Sequence, residues 1–274
     1  MPRYGMVVDV TKCDGCYNCF IACKDEYCEQ AKPGYSAAQP MTGQDWMRII
    51  PKERGQFPKV KQDYIAVPCM QCEAPGCMSG NDGAVYKRGD GIVMIDPETA
   101  KGQKELVSKC PYRRIYWNEQ ENVAQKCAFC AHLLDAGWKE PRCVEACPTG
   151  TLLFGDLDDP NSAVSKAMKA AEAMHPEYKL GDKVKFVGLP MSFVAGAVVL
   201  GDTDECAAGA SVTLEGAGRK ETVSTDSFGD FEFEGLPGET AFKVTVSSPG
   251  YETREFELKT YVSVYLGDIV LTRP

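Results

Sequence analysis

The chain has 274 residues, of which 44% are hydrophobic and 25% charged, with a formal net charge of −9 and a pI near 4.9. That length suits about two domains, and the acidic balance speaks against nucleic acid or an anionic membrane as partner, since both need basic patches. No apolar run approaches the roughly 18 residues that span a bilayer. The opening MPRYGMVVDV carries neither an apolar signal core nor a twin-arginine pair. The expectation is a soluble cytoplasmic polypeptide, with export on a partner's signal as the alternative.

Fourteen cysteines stand against two histidines, His132 and His175. Without a secretory signal a disulfide framework is disfavoured, and two histidines leave little room for mixed zinc sites. In chain order, a strand-like Tyr4–Asp9 leads into Cys13, Cys16, Cys19 and Cys23, spaced C-x2-C-x2-C-x3-C around an Asp14-Gly15 turn. Cys69, Cys72 and Cys77 follow, then a turn at Asp90-Gly91, a strand-like Gly91–Asp96, and Cys110-Pro111. Cys127, Cys130, Cys143 and Cys147-Pro148 come next, then strand-like Thr151–Phe154. A helical pattern runs over about 161–174 with Asn161 or Ser162 as N-cap. From about residue 191 the pattern alternates with period two, as in Asp230-Phe231-Glu232-Phe233-Glu234, between turns such as Pro237-Gly238 and Pro249-Gly250. About seven short strands fit there, which reads as an all-β sandwich over 191–274.

A cubane cluster needs four thiolates, one on each iron. The triple spacing ending in Cys-Pro is the bacterial ferredoxin signature, in which three cysteines wrap one cluster and the fourth reaches its neighbour. Zinc ligands group two and two instead. The cysteine motifs also repeat. Asp9 to Cys23 aligns without gaps on Asp96 to Cys110, so that Cys13, Cys16 and Cys19 fall on Ala100, Gln103 and Leu106. Cys127, Cys130, Cys143 and Cys147 align on Cys69, Cys72, Cys77 and Asn81. The sequence therefore predicts an α+β, duplicated ferredoxin-like core over 1–190, the second half inserted at about 50–125.

Crossed ligation gives three clusters: Cys13, Cys16, Cys19 with Cys147; Cys127, Cys130, Cys143 with Cys23; and Cys69, Cys72, Cys77 with Cys110. The fourth position, Ala100, Gln103, Leu106 and Asn81, has lost all its ligands together. Cys28 and Cys206 read as ordinary thiols, and both histidines as non-ligands. Lys12 and Lys126 each precede a first cysteine. A cation there would favour reduction, which adds negative charge, although a surface lysine is the plainer reading. No nucleophile elbow, phosphate loop or zinc-protease motif is present, so no catalytic residue is expected.

Lys12-Cys-Asp-Gly-Cys16, Val67-Pro-Cys-Met-Gln-Cys72, Cys110-Pro-Tyr112, Lys126-Cys-Ala-Phe-Cys130, Cys143-Val-Glu-Ala-Cys-Pro-Thr-Gly150 and Gly155-Asp-Leu-Asp-Asp-Pro160 resemble the iron–sulfur subunit of the dimethyl sulfoxide reductase-type molybdopterin oxidoreductases. The resemblance covers about Tyr4 to Leu189. It implies 4Fe–4S clusters in a line, serving a large catalytic subunit that holds molybdopterin, in a heterodimer or higher oligomer. Family members usually carry four clusters. This chain lacks one of them and any recognisable membrane-contact extension, so no membrane subunit is expected. Its tail resembles transthyretin-like or carboxypeptidase-regulatory-like sandwiches. The combination is similar to members that move hydroxyl groups between polyhydroxybenzenes. Rival readings are the electron wire of another molybdenum or tungsten enzyme, such as a formate dehydrogenase or sulfur-compound reductase, and a non-redox scaffold stapled by metal.

Overall fold

The computed structural model describes residues 1–80 and 82–274. Asn81, aligned with the fourth cluster position, lies outside the described residues. Contacts divide the chain into a first unit, Met1–Pro51 with Asp63–Leu189, and a second, Lys52–Gln62 with Pro190–Pro274. The hairpin of strands Arg48–Gln56 and Lys59–Val67 thus begins and ends in the first unit, while its tip is counted with the second.

In the first unit, Tyr4–Asp9 is the central strand of three. Its inner residues Met6, Val7 and Val8 are all buried, as a strand covered on both faces requires. Leu152–Asp156 pairs with it antiparallel and Val184–Val187 parallel. Met6, Val8, Leu152, Val184 and Phe186 from this sheet share one core with Tyr27, Trp46 and several cysteines. A smaller core gathers Ala84, Val85, Val93, Ile95, Ala100, Leu106, Ile115 and Val123 around two short hairpins. Helices are few and short: Asn18–Tyr27, Ala131–Asp135, Arg142–Glu145 and Ala163–Met168. Most of the cysteines therefore sit on loops or in the first turn of a helix.

The helix expected over 161–174 ends earlier. Ser162 caps it, its hydroxyl accepting from the Ser165 N–H at 3.1 Å. By Glu172 the backbone has left the helix to exchange two hydrogen bonds with Phe186, each 2.8 Å. The sheet edge outcompetes continued helix for those peptide groups.

One ion pair ties two loops of this unit to the end of the helix Ala131–Asp135. Asp135 accepts end-on from both Nη atoms of Arg88, at 2.9 and 2.6 Å, and from the Tyr35 hydroxyl at 2.7 Å. The bond from Arg88 holds the Asp135 carboxyl below its ordinary range. A depressed carboxyl stabilises the fold fully above the unfolded value of about 4. That contribution is lost as pH falls through the lower folded value. Wild type should therefore lose stability more steeply below pH ~4 than Asp135→Asn, whose loss is already present at neutrality. Parallel acid limbs in local amide-exchange protection around residues 35, 88 and 135 would show that the pair contributes nothing. Because Asp135 is partly exposed, the effect at neutral pH should be modest, about 1 kcal/mol or less.

The second unit has two four-stranded sheets. One is built on Ser192–Leu200, flanked by Asp230–Leu236 and by Val264–Leu271, with the two-residue strand Glu205–Cys206 at its edge. The other runs Arg219–Ser224, Ser211–Gly216, Ala241–Ser247, Arg254–Lys259 in spatial order. Phe231, Phe233, Val194 and Ile269 from the first sheet share a core with Val212, Leu214, Val244 and Val246 from the second, as the alternating sequence requires. Eight strands form where about seven were expected; Glu205–Cys206 is too short to leave a period-two signal.

Candidate metal centres

The helix Asn18–Tyr27 starts from a tight loop. Asp14 accepts the Cys16 N–H at 3.1 Å, and Gly15 stands at φ 73° with the Tyr64 ring where a Cβ would go. The same left-handed turn recurs just before the second cysteine in the other two C-x2-C loops, at Gln71 (φ 49°) and Phe129 (φ 50°). Such a turn curls successive N–H groups inward, a concavity suited to an anionic cluster. Cys19 and Cys23 are four residues apart on the helix, one turn or about 6 Å along its axis. Cys19 has Cys147 and Cys13 as its thiol neighbours, and Cys23 has Cys127 and Cys130.

The thiols gather in three sets of four. Cys13 and Cys19 lie within electrostatic reach of Cys16 and Cys147. Cys23 and Cys143 face Cys127 and Cys130. Cys69, Cys72, Cys77 and Cys110 line one pocket, closed by Pro75, Val93, Pro111, Ile115 and Leu180. The second set adjoins both others: Cys143 feels Cys19, and Cys127 feels Cys69. Cys28 and Cys206 belong to no set. The histidines also stand apart as ring groups, His132 against Glu26 at 2.9 Å and His175 against Glu177 at 3.0 Å.

Burial is the main influence on these thiols. It raises Cys19 to about 12, with Cys147 and Cys13 adding to it. Burial lifts Cys127 to about 12 and Cys77 to about 11, the latter against the pull of Lys126. Cys23 and Cys143 are pushed well up by burial and then by their thiol neighbours. Cys147 is the exception. Burial raises it, but the Thr149 hydroxyl and the N–H groups of Leu152, Thr151 and Thr149 outweigh that and bring it below the usual thiol value. Four converging thiols in dry surroundings ionise only when a cation replaces their protons. Among the described residues, no three Cys, His, Asp or Glu side chains close around a single ion. A cubane spreads its thiolates over four irons, wider than one tetrahedral ion would. The donor set and its spacing therefore fit 4Fe–4S.

Several groups around the thiols were not singled out from sequence. Tyr27 is fully buried; its hydroxyl lies 3.4 Å from His132 Nδ1 and acts to lower the neighbouring Cys130 thiol against its burial. Cys19, Cys23 and Tyr27 repeat every four residues, so helical periodicity carried that signal. Asp182 stands 3.6 Å from the Cys72 thiol and accepts from Tyr112 at 2.6 Å. It lies 110 residues beyond Cys72, with no local signature. Of the two lysines, Lys12 is exposed and pairs with Asp9 at 3.1 Å, while Lys126 is buried. The surface reading holds for the first and fails for the second.

The model of a 4Fe–4S dicluster domain matches residues 60–157, and that of a carboxypeptidase regulatory-like domain residues 194–271. The chain is 42% identical to the pyrogallol hydroxytransferase small subunit of Pelobacter acidigallici, over 92% of this chain and 93% of that one. It is 35% identical to protein NrfC of Escherichia coli K12 (70% and 82% covered) and 32% identical to a polysulfide reductase subunit of Wolinella succinogenes (69% and 94% covered). Fold, thiol sets and these likenesses together define an iron–sulfur electron-transfer protein followed by a regulatory-like β domain. The protein belongs to the family of iron–sulfur subunits of the dimethyl sulfoxide reductase-type molybdopterin oxidoreductases. No helix of the described residues is long and apolar enough to cross a membrane.

Proposed function

We propose that this chain holds three 4Fe–4S clusters in a row and passes electrons to or from a molybdopterin-bearing catalytic subunit, in a cytoplasmic complex of the pyrogallol hydroxytransferase type without a membrane subunit. Cys13, Cys16, Cys19 and Cys147 hold the first cluster. Cys127, Cys130, Cys143 and Cys23 hold the second, and Cys69, Cys72, Cys77 and Cys110 the third. The observation that carries this reading is the crossed gathering of twelve thiols into three sets of four, the second adjoining both others.

The vacated fourth position has support of its own. Gly102, at φ 76°, makes before Gln103 the left-handed turn that Gly15, Gln71 and Phe129 make before their cysteines. That recurrence supports a duplicated motif that kept its backbone and lost its ligands. Ala100 and Leu106 are wholly buried in the smaller core, filling space where thiols would stand.

Each bound cluster supplies a one-electron carrier. The chain's own residues do the rest. Thiolates fix the clusters, and the donors around Cys147 and Cys130 stabilise negative charge on sulfur. Apolar walls keep water from the second set. The first set is the most open: Cys16 is exposed, beside Tyr17 and Ile21, which are 39% and 59% exposed. Apolar side chains beside an accessible thiol suit a docked catalytic subunit. The hydroxytransferase type is favoured because the Pelobacter likeness spans 92% of the chain, β domain included, whereas the other two reach 70% and 69%.

Anaerobically purified protein should contain about twelve irons per chain and show cubane paramagnetic signals on reduction. A large subunit identified by mass spectrometry should co-purify, and the complex should transfer a hydroxyl group between polyhydroxybenzenes. Zinc-filled, magnetically silent protein would overturn the electron-transfer reading. A complex inactive on polyhydroxybenzenes but active as a formate or sulfur-compound oxidoreductase would overturn only the substrate.

A further inference from the structure

Lys126 follows directly on the strand Val123–Gln125 and is 4% exposed. Its ammonium donates to the Cys127 carbonyl at 3.0 Å and to the Val93 carbonyl. It lines the pocket of the third set with Cys69, Cys72, Cys77 and Cys110. Among the described residues no carboxylate pairs with it, although Lys12, Lys32, Lys61, Lys87, Lys101, Lys104 and others all have one. A buried cation without a counter-charge is costly, and neutral carbonyls only partly offset that cost. The compensating anion must come from what the neighbouring thiols hold. Cubane clusters ligated by four thiolates are net anionic in both oxidation states, and more so when reduced.

We propose that Lys126 is the shared counter-cation of the second and third clusters, setting the potential of the third so that it accepts an electron from the second. This rests on the three-cluster reading above. In the step, the second site gives up one electron and the third gains it. No bond or proton moves, and the third site becomes more negative by one charge. An ammonium at its wall stabilises that product more than the starting state, and low-dielectric surroundings sharpen the difference. Lys126 is the largest influence on Cys77 after burial, and it also acts on Cys110 of the same set and on Cys127 of the second. A group of opposite sign also stands at this site, for Asp182 lies 3.6 Å from the Cys72 thiol. The third site thus has both a cation, next to Cys127 of the second set, and a carboxylate beside its thiols.

The test is a redox titration of the full chain, loaded with iron and sulfide under anaerobic conditions and followed by electron paramagnetic resonance. Lys126→Met removes the charge and keeps the bulk. Lys126→Gln removes the charge and keeps donors for the carbonyls. Lys126→Arg keeps the charge. Met and Gln should lower the reduced-to-oxidised ratio of the third site at least about tenfold at fixed potential, about 59 mV for one electron. The second should shift less and the first not at all, while Arg stays near wild type. Full iron with unshifted potentials in either neutral variant overturns the proposal. So does an equal shift at all three sites, or iron loss in all three variants with unchanged potentials at the sites that remain, which would mark a purely structural lysine. Wild type lacking cubane signals would instead sink the reading on which the proposal rests.

Discussion

Replacing Cys23 by alanine should empty the second cluster site and leave the first intact, although Cys23 lies in the same C-x2-C-x2-C-x3-C run as Cys13, Cys16 and Cys19. Ligation local to that run would predict the reverse. The expected loss is about four of about twelve irons per chain, one cubane. The reason is the helix Asn18–Tyr27. Cys19 sits in its first turn beside Cys147, while Cys23, one turn on, faces Cys127 and Cys130. Since the second set adjoins both others, its loss should cut electron flow between the ends of the row. Rapid-mix reduction of the variant from the partner's side should then fill the first site normally and the third at a rate lower by orders of magnitude. Loss of the first site's signal with the second retained would overturn the crossed assignment. The variant's remaining signals serve as its folding control.

The cysteine motifs and the 4Fe–4S character of the chain are legible in the sequence because ferredoxin-type ligation is written in spacing. The turns recur at fixed offsets, and Gly15 and Gly102 show two of them directly. The sandwich is legible because a two-layer β fold leaves a period-two trace, as in Phe231 and Phe233 pointing inward between outward acids. Long-range choices are not legible. Nothing near Glu172 shows that its peptide groups will pair with Phe186 and end the helix early. Nothing near Asp182 shows that it will meet Cys72. The tip of the Arg48–Val67 hairpin carries no sign that it will be counted with the second unit. Lys126 is the instructive case: the motif placed a lysine beside a cysteine, but burial is a property of the surrounding fold, and only there does it become an internal charge that, among the described residues, meets carbonyls and no carboxylate.

Leu106→Ala should loosen the smaller core of the first unit without changing iron content. Leu106 stands where the repeat would place a third cysteine, on the 3-10 stretch Lys104–Lys109, wholly buried against the apolar cluster that holds Ala100, Ile115 and Val123. Truncating a buried leucine costs about 2–5 kcal/mol in lost transfer energy and residual cavity. A metal-loaded protein does not unfold in two states, so the cost is best read locally. Amide exchange around 100–106 should quicken at least about 30-fold, while the three cubane signals stay in place. Gln103 gives the opposite arm. Its Nε2 donates to the Thr99 carbonyl at 2.9 Å, but among the described residues its Oε1 is enclosed without a donor. A buried acceptor left unmade costs about 1–3 kcal/mol, so Gln103→Leu should be neutral or slow the same exchange. If the fourth position held a cofactor, Leu106→Ala would alter the iron count and Gln103→Leu would not protect. If it is a vacated cage rebuilt as hydrophobic core, side-chain volume and hydrogen-bond satisfaction alone decide both results.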